Sequence, residues 1–357
     1  MGTTATEPAV CKIGNAWQRA RYAFMAHLNM TSGVTRFGLS SRGGHYKHLL
    51  QEEDALHNFL GDERTLAAVR ERFAQHKAGD LLRALTNTVA SQPCCFNLFA
   101  PLARHPQLAD ALFSKLLGEA LEVVHIEIEF TPNHWAGAPG FKRTEDESIG
   151  DQSERGGTDA DVAVFYRTAN GKRGVVLIEF KYIEAEFSTC GSYKSKTKGP
   201  RIRPGCNSAG WYAQRVGPFR ENPPRQPDCG YLKYQNWRLL ERSRALNADA
   251  VKQQPGCPFK GSLNQLWRNL LLAERVADAR QLDAFHFWVL SPAQNTFLWE
   301  EGAGDVFERM QDLLTPQGKK AFRKLELDKD VVAVLEDLAG QEVHKEWLRR
   351  FRARYLP

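Results

Sequence analysis

A chain of 357 residues that is 42% hydrophobic and 25% charged has globular composition, with length for one large domain or two smaller ones. No segment approaches the roughly 18 uninterrupted apolar residues of a spanning helix, and the opening MGTTATEPAVCKIG lacks the apolar run of a secretory leader. A soluble cytoplasmic protein with no membrane partner is expected, and a net charge of only +6 makes the location of basic residues more informative than their number.

In chain order, residues 15–90 read as mostly helical, because HYKHLLQEEDALHNFL and DERTLAAVRERFAQH carry apolar residues at three-to-four spacing, with breaks at Gly43-Gly44 and Gly61. His45, His48 and His57 read as surface or helix-packing residues. SQPCCFNLFAPL (91–102) is a Pro-bounded apolar knot. PQLADALFSKLLGEALEVV (106–124) is predicted as one amphipathic helix with Leu108, Leu112, Leu116, Leu117 and Leu121 on one side. VVHIEIEF (123–130) then switches to period two, with Val124, Ile126, Ile128 and Phe130 on one face and His125, Glu127 and Glu129 on the other. The polar, Gly-rich stretch 131–158 is predicted as a long mobile loop.

Two strands follow, DVAVFYR (161–167) and GVVLIEFKY (174–182), joined through the hairpin signal Asn170-Gly171. Residues 190–262 form a basic, Pro-rich insertion with a helix in YLKYQNWRLLERSRAL. SLNQLWRNLLLAERVADAR (262–280) is a helix with Ser262 as a plausible N-cap, AFHFWVLS (284–291) a strand, and the tail from Asp305 helical. The pattern predicts an α/β fold with a mixed central sheet and flanking helices. Its parts are an N-terminal mostly helical region (1–105), an α/β core (106–300) carrying the insertion at about 188–260, and a C-terminal helical tail (301–357).

The second hairpin strand carries the first chemical signal. Val175, Leu177, Glu179 and Lys181 share a face that is apolar at its start and ionic at its end, as where a strand leaves a core for a cleft. The loop decides whether Asp161 joins them. A two-residue turn pairs Asp161 with Phe180 on the wrong face, whereas a three- or five-residue loop centred on Asn170 pairs it with Glu179. The odd-numbered loop is preferred because it also sets Ala163 and Phe165 opposite Leu177 and Val175. Two carboxylates and a lysine at one sheet end suit Mg²⁺ or Mn²⁺, which take few protein carboxylates and complete their shell with water and phosphate oxygens. The bland alternative is a charged cluster that keeps a sheet edge soluble.

Asp161, a spacer and then IEFK, containing Glu179-Phe180-Lys181, resembles the PD-(D/E)XK nuclease superfamily, the restriction-endonuclease-like fold. The context GTDADVAVFYRTANGKRGVVLIEFKYIE, with CFNLFAPL before it and LNQLWRNLLLAERVADAR after it, is similar to a poorly characterised bacterial branch of that superfamily, from about Ser91 to about Ser291. The resemblance implies Asp161 and Glu179 as metal ligands, the Phe180 carbonyl as a further ligand, Lys181 as the catalytic lysine, and Gln265 as a site residue on the helix after the hairpin. It also implies a Glu from a preceding element. Glu119, Glu122, Glu127 and Glu129 are candidates, with Glu129 favoured. The chain departs from the pattern in having no Pro beside the first Asp, where TDAD stands instead. Asp159 is therefore a rival to Asp161, although it falls before the strand pairs well.

Between Cys190 and Arg244, twelve Lys and Arg meet three Asp and Glu, so this segment holds the whole basic excess. A nucleic-acid partner, DNA before RNA, is the functional reading, and a solvated polar insertion the structural one. The aromatics among these charges, Tyr193, Trp211, Tyr212, Phe219, Tyr231, Tyr234 and Trp237, suit stacking on unpaired bases or a small local core, and the core is preferred for most. Cys190, Cys206, Cys229 and Cys257 are spaced far more widely than a zinc ribbon's pairs. Some nucleases of the resembled superfamily hold an iron–sulfur cluster on four dispersed cysteines, usually with one before the motif; here all four follow it. A Zn²⁺ or iron–sulfur staple and four unrelated reduced thiols both remain readings. The expected function is metal-dependent hydrolysis of phosphodiester bonds in nucleic acid. The alternatives are a catalytically silent nucleic-acid-binding protein on the same fold and a structural or assembly protein. A homodimer is a further expectation by analogy with palindrome-cutting relatives, with no dimer face identified.

Overall fold

The computed structural model describes residues 8–75, 80–132, 134–149, 157–194, 205–215, 236–302 and 304–357. Its centre is a five-stranded mixed sheet in the spatial order Leu121–Phe130, Ala160–Thr168, Arg173–Phe180, Ala284–Ser291, Phe322–Glu326. The first three strands pair antiparallel, and the last two join in parallel. Helices cover both faces, so the central strands are apolar on both sides. Ala163, Phe165, Val175 and Leu177 pack with Trp267 and Leu270 of the long helix Leu263–Ala279. On the opposite face Val162, Val164, Val176, Ile178 and Phe180 pack with Phe99 of helix Ser91–Ala103, Phe113 of helix Pro106–Leu117 and Phe351 of helix Glu342–Tyr355. The fold class is that expected from the sequence, and among the described residues no helix is long and apolar enough to cross a membrane.

Several elements differ from the sequence reading. HYKHLL is a strand, His45–Leu50, paired with Phe37–Leu39. Gly43, with φ +77°, turns a hairpin there, closed by Ser40 N–H to the Gly44 carbonyl at 2.8 Å. His48 is consequently buried between the rings of Tyr22 and Tyr46. The helix from Pro106 ends at Leu117, because Gly118 takes the left-handed conformation (φ +76°) and stops it, so Leu121 begins a strand. Ser262 occupies the N-cap position of the long helix, but its side chain makes no capping bond; its N–H donates to Glu301 instead, at 2.9 Å.

The tail contributes helices and also the edge strand Phe322–Glu326, whose Phe322 and Leu325 face opposite layers. The stretch 134–149 is an anchored loop. Arg280 pairs with Glu147, both side chains fully excluded from water, and Thr144 N–H donates to the Ala279 carbonyl at 2.7 Å. The basic, aromatic-containing insertion is only partly described: residues 195–204 and 216–235, with Cys229, Phe219, Tyr231 and Tyr234, lie outside the described residues. Trp211, Tyr212 and Trp237 are buried with Phe259 and Trp267, the last two stacked at 4.0 Å, so these three indoles and phenols form core rather than a base-stacking platform.

Candidate active site

Thr168 N–H donates to the Lys172 carbonyl at 2.8 Å and Gly171 N–H to the Thr168 carbonyl at 2.9 Å, leaving Ala169, Asn170 and Gly171 as a three-residue hairpin loop. Gly171 has φ +81°, the left-handed position such a loop needs. The odd loop sets Ala163 opposite Leu177 and Phe165 opposite Val175, as the sequence predicts. Extending that register by one pair brings Asp161 to Glu179. Asp161 then turns its carboxylate onto the Phe180 N–H, at 2.6 Å.

Glu179 and Lys181 are 4% and 9% exposed, so this is a buried ionic end of a strand and not a solvated edge. Their ion pair spans 2.7 Å, and the Lys181 backbone N–H continues the sheet by donating to Leu290. The long helix completes the surroundings of Glu179. Gln265 Nε2 donates to one carboxylate oxygen at 2.6 Å, and Asn269 Nδ2 to the other at 2.7 Å. Gln265 is also tied to the chain after the motif, because its Oε1 accepts the Ser188 N–H at 3.0 Å.

Of the four additional Glu candidates, Glu119 and Glu122 are exposed at the far end of the edge strand, and Glu127 pairs with Arg72 and His125. Glu129 reaches the site by an irregular backbone. The strand is bulged between Val123 and His125, and Glu129 itself has φ +55°. A left-handed glutamate inside a strand is strained, and such strain collects at functional sites. Arg72 holds the Glu129 carbonyl at 2.6 Å and Gln92 its carboxylate at 3.1 Å. These irregularities also split the face predicted for Val124, Ile126, Ile128 and Phe130: Val124 and Phe130 pack with the long-helix layer, Ile126 and Ile128 with the other.

The four carboxylates Glu129, Asp159, Asp161 and Glu179 line one cleft of about 300 Å³, together with Thr158, Ser188, Gln265, Arg268 and Asn269. Burial pushes Asp161 well above the ordinary carboxylate range, and the charges of Glu179 and Glu129 add to it against the pull of Lys181 and the Phe180 amide. Burial likewise raises Glu129 to about 7; the Gln92 bond opposes this, and Glu179 and Asp159 reinforce it. Asp159 is raised by burial and Glu179, with Arg268 working against them. For Lys181, burial favours the neutral amine, but Glu179, Glu184 and Asp161 outweigh it and the net shift is upward.

The sequence reading missed Asn269 and Arg268. Asn269 stands four residues after Gln265, one turn along the same helix, and is 2% exposed, so a second amide at that spacing was the available signal. Arg268 borders the cleft and binds the chain just before Asp159, donating to Thr158 Oγ1 at 2.7 Å and to the Gly157 carbonyl at 3.0 Å.

Of the dispersed cysteines, the described ones do not line this cleft. Cys190, Cys206 and Cys257 carry thiols and no disulfide, and Cys257 N–H donates to the Cys206 carbonyl at 2.8 Å. Among the described residues no group of three or more His, Cys, Asp or Glu side chains is arranged to hold a metal ion.

Comparison with known proteins agrees with this geometry at the level of family. Neither a curated protein nor a solved structure matches the chain. A family model, however, matches residues 15–227 and 243–357, nearly all of it, and the chain belongs to the PD-(D/E)XK nuclease superfamily.

Proposed function

We propose that the protein is a metal-dependent nuclease that hydrolyses phosphodiester bonds in nucleic acid, DNA in the first instance. The observation that carries this reading is the convergence of Asp161, Glu179 and Lys181 at one end of the sheet, in the register that the three-residue loop sets.

A hard dication fits the donors present. The ionisable groups that face the cleft as acceptors are all carboxylates, with neither imidazole nor thiol among its lining residues. Mg²⁺ needs only one or two protein carboxylates, so the want of a three-residue cluster among the described residues is compatible with it. Asp161 and Glu179 would hold the ion, with the Phe180 carbonyl and Glu129 as further oxygen donors. When bound, Mg²⁺ or Mn²⁺ supplies a lowered pKa for attacking water and charge stabilisation for phosphoryl oxygens.

The chain's own groups supply orientation and charge. Gln265 and Lys181 both meet Glu179, fixing the carboxylate from the helix side and the strand side. Lys181 would hold the attacking water or neutralise charge developing on the phosphate. Arg268 and Thr158 at the cleft wall would meet the nucleic-acid backbone. The basic segment 190–244 would add electrostatic attraction, and a homodimer remains part of the proposal for a duplex substrate. A zinc or iron–sulfur group on Cys190, Cys206, Cys229 and Cys257 has no geometric support among the described residues.

The test is incubation of the purified full chain with single- and double-stranded DNA and RNA, with and without Mg²⁺ and Mn²⁺. Divalent-dependent cleavage that Asp161→Ala and Lys181→Ala abolish, with binding retained, is the expected result. Binding without cleavage under any divalent ion would move the protein to the silent-binder reading, and neither binding nor cleavage to the assembly reading.

A further inference from the structure

Glu179 has three donors, and two of them come from a single helix. Gln265 and Asn269 lie four residues apart in Leu263–Ala279, so their side chains project from the same face one turn apart. Gln265 takes one carboxylate oxygen at 2.6 Å and Asn269 the other at 2.7 Å. Lys181 and Gln265 both meet Oε1, whereas Asn269 donates to Oε2. Two amides on opposite oxygens fix its plane. The helix that carries them is itself set against the strand by Trp267, Leu270 and Leu271, all buried, so the clamp is mounted on a rigid element.

The placement of Asn269 is unusual for its chemistry. An amide that is 2% exposed is costly unless its donors are used, and here it donates to a buried carboxylate. A merely structural amide could be replaced by an apolar residue if Glu179 were also apolar. It is Glu179 that uses both donors, one on each carboxylate oxygen, while the Asp161 carboxylate is engaged with the Phe180 N–H across the strand pair.

We infer that Asn269 is a positioning residue for Glu179: with Gln265 it sets the plane of the carboxylate that, together with Asp161, would hold a divalent cation. The inference rests on the nuclease reading for its purpose, but its direct readout is metal binding, which does not require turnover. Groups that orient a metal's carboxylate or imidazole ligands typically change metal affinity or activity by about 10- to 100-fold when removed.

The experiment compares the full-length wild type with Asn269→Ala, with Asn269→Ser, whose shorter side chain leaves a gap to Glu179, and with Asn97→Ala. Asn97 is equally buried, but its amide bonds Asn58 and Tyr355 on the other face of the sheet, so it controls for loss of a buried amide. Each protein is titrated with Mn²⁺ alone by calorimetry and by the rise in melting temperature. Cleavage of a labelled oligonucleotide then separates kcat from KM. The expected result is a Mn²⁺ half-saturation raised about 10-fold or more in both Asn269 variants and a kcat lowered by a similar factor, with KM for the oligonucleotide within about 3-fold of wild type. Asn97→Ala lowers the melting temperature without moving the Mn²⁺ midpoint. If Asn269→Ala unfolds, Asn269→Ser decides the matter. Folded Asn269 variants that bind Mn²⁺ as wild type does overturn the inference. A wild type that binds Mn²⁺ but cleaves no nucleic acid overturns the nuclease reading instead, and the clamp is then judged on the Mn²⁺ midpoints alone.

Discussion

The Asp161 carboxylate accepts the Phe180 backbone N–H at 2.6 Å, on the same segment that carries Glu179 and Lys181. This bond ties the two hairpin strands together just past their last ladder pair, Val162 with Ile178. It also holds an acid among other acids, for burial and the charges of Glu179 and Glu129 oppose its ionisation. Such an arrangement favours function over stability.

Asp161→Asn separates the two. The amide oxygen can still accept the Phe180 N–H, while the repelled charge is gone. Divalent-dependent cleavage should fall by about 10²-fold or more, with the melting temperature equal to wild type or a few degrees higher. Calorimetric melting beside a cleavage assay checks this. An Asn variant that melts well below wild type, or cleaves at its rate, would remove Asp161 from the proposed role.

The hairpin was legible because local rules agree there. Period two places Glu179 and Lys181 on one face, Asn170-Gly171 marks the turn, and one choice of loop length aligns Ala163 and Phe165 with Leu177 and Val175. What was hidden depends on distant partners or on single dihedral angles. Phe322–Glu326 becomes a strand because Ala284–Ser291 offers a free parallel edge, which FRKLE does not announce by itself. HYKHLL satisfies a helical spacing and a strand spacing alike, and pairing with Phe37–Leu39 decides between them. Glu129 enters the cleft through φ +55°, a backbone state no pattern of residue types reveals. Asn269 could have been noticed as a second amide one helical turn after Gln265, but its partner Glu179 is known only once the helix is packed on the sheet.

The hairpin loop itself gives a stability prediction. Gly171 sits at φ +81° with open space where a side chain would go, so backbone conformation is the only obstacle to substitution there. Gly171→Ala should destabilise the protein by about 1 kcal/mol and Gly171→Val by more, because a branched residue tolerates the left-handed region poorly. Urea denaturation measures the loss. Equal stability of wild type and Gly171→Val would be inconsistent with the three-residue loop.

Arg280 and Glu147 offer a second, larger effect away from the cleft. Both side chains are fully buried, their two bonds span 2.6 and 2.7 Å, and Arg280 also donates to the Trp135 and Phe141 carbonyls. Removing one partner leaves a buried charge uncompensated, at a cost of about 3–5 kcal/mol. Glu147→Gln and Arg280→Met should each approach that loss. The double variant should be less destabilised than the sum of the two, because neither charge is then stranded. Denaturant midpoints of all four proteins give the coupling directly, and strict additivity would argue against a direct pair.

His48 sets a pH dependence of stability whose sign follows from its burial. The ring is 5% exposed between Tyr22 and Tyr46, its Nδ1 has no hydrogen-bond partner, and burial lowers its pKa from 6.5 to about 4. An unfolded chain protonates this histidine near 6.5, so between pH 6.5 and 4 the unfolded state binds more protons than the folded one. Stability is therefore full above pH 6.5 and declines as pH falls through the window, by about 1.4 kcal/mol per unit at most for one such group. His286, also lowered to about 4 by burial and then by Arg323, adds a loss of the same sign. The share of His48 is isolated by His48→Phe, which keeps an aromatic ring between the two tyrosines and cannot take up a proton. Denaturant midpoints at pH 7.5, 6 and 5 should converge for the two proteins or cross in favour of the variant as pH falls. Parallel pH profiles for wild type and His48→Phe would mean that the imidazole protonates in the folded protein as readily as in the unfolded chain.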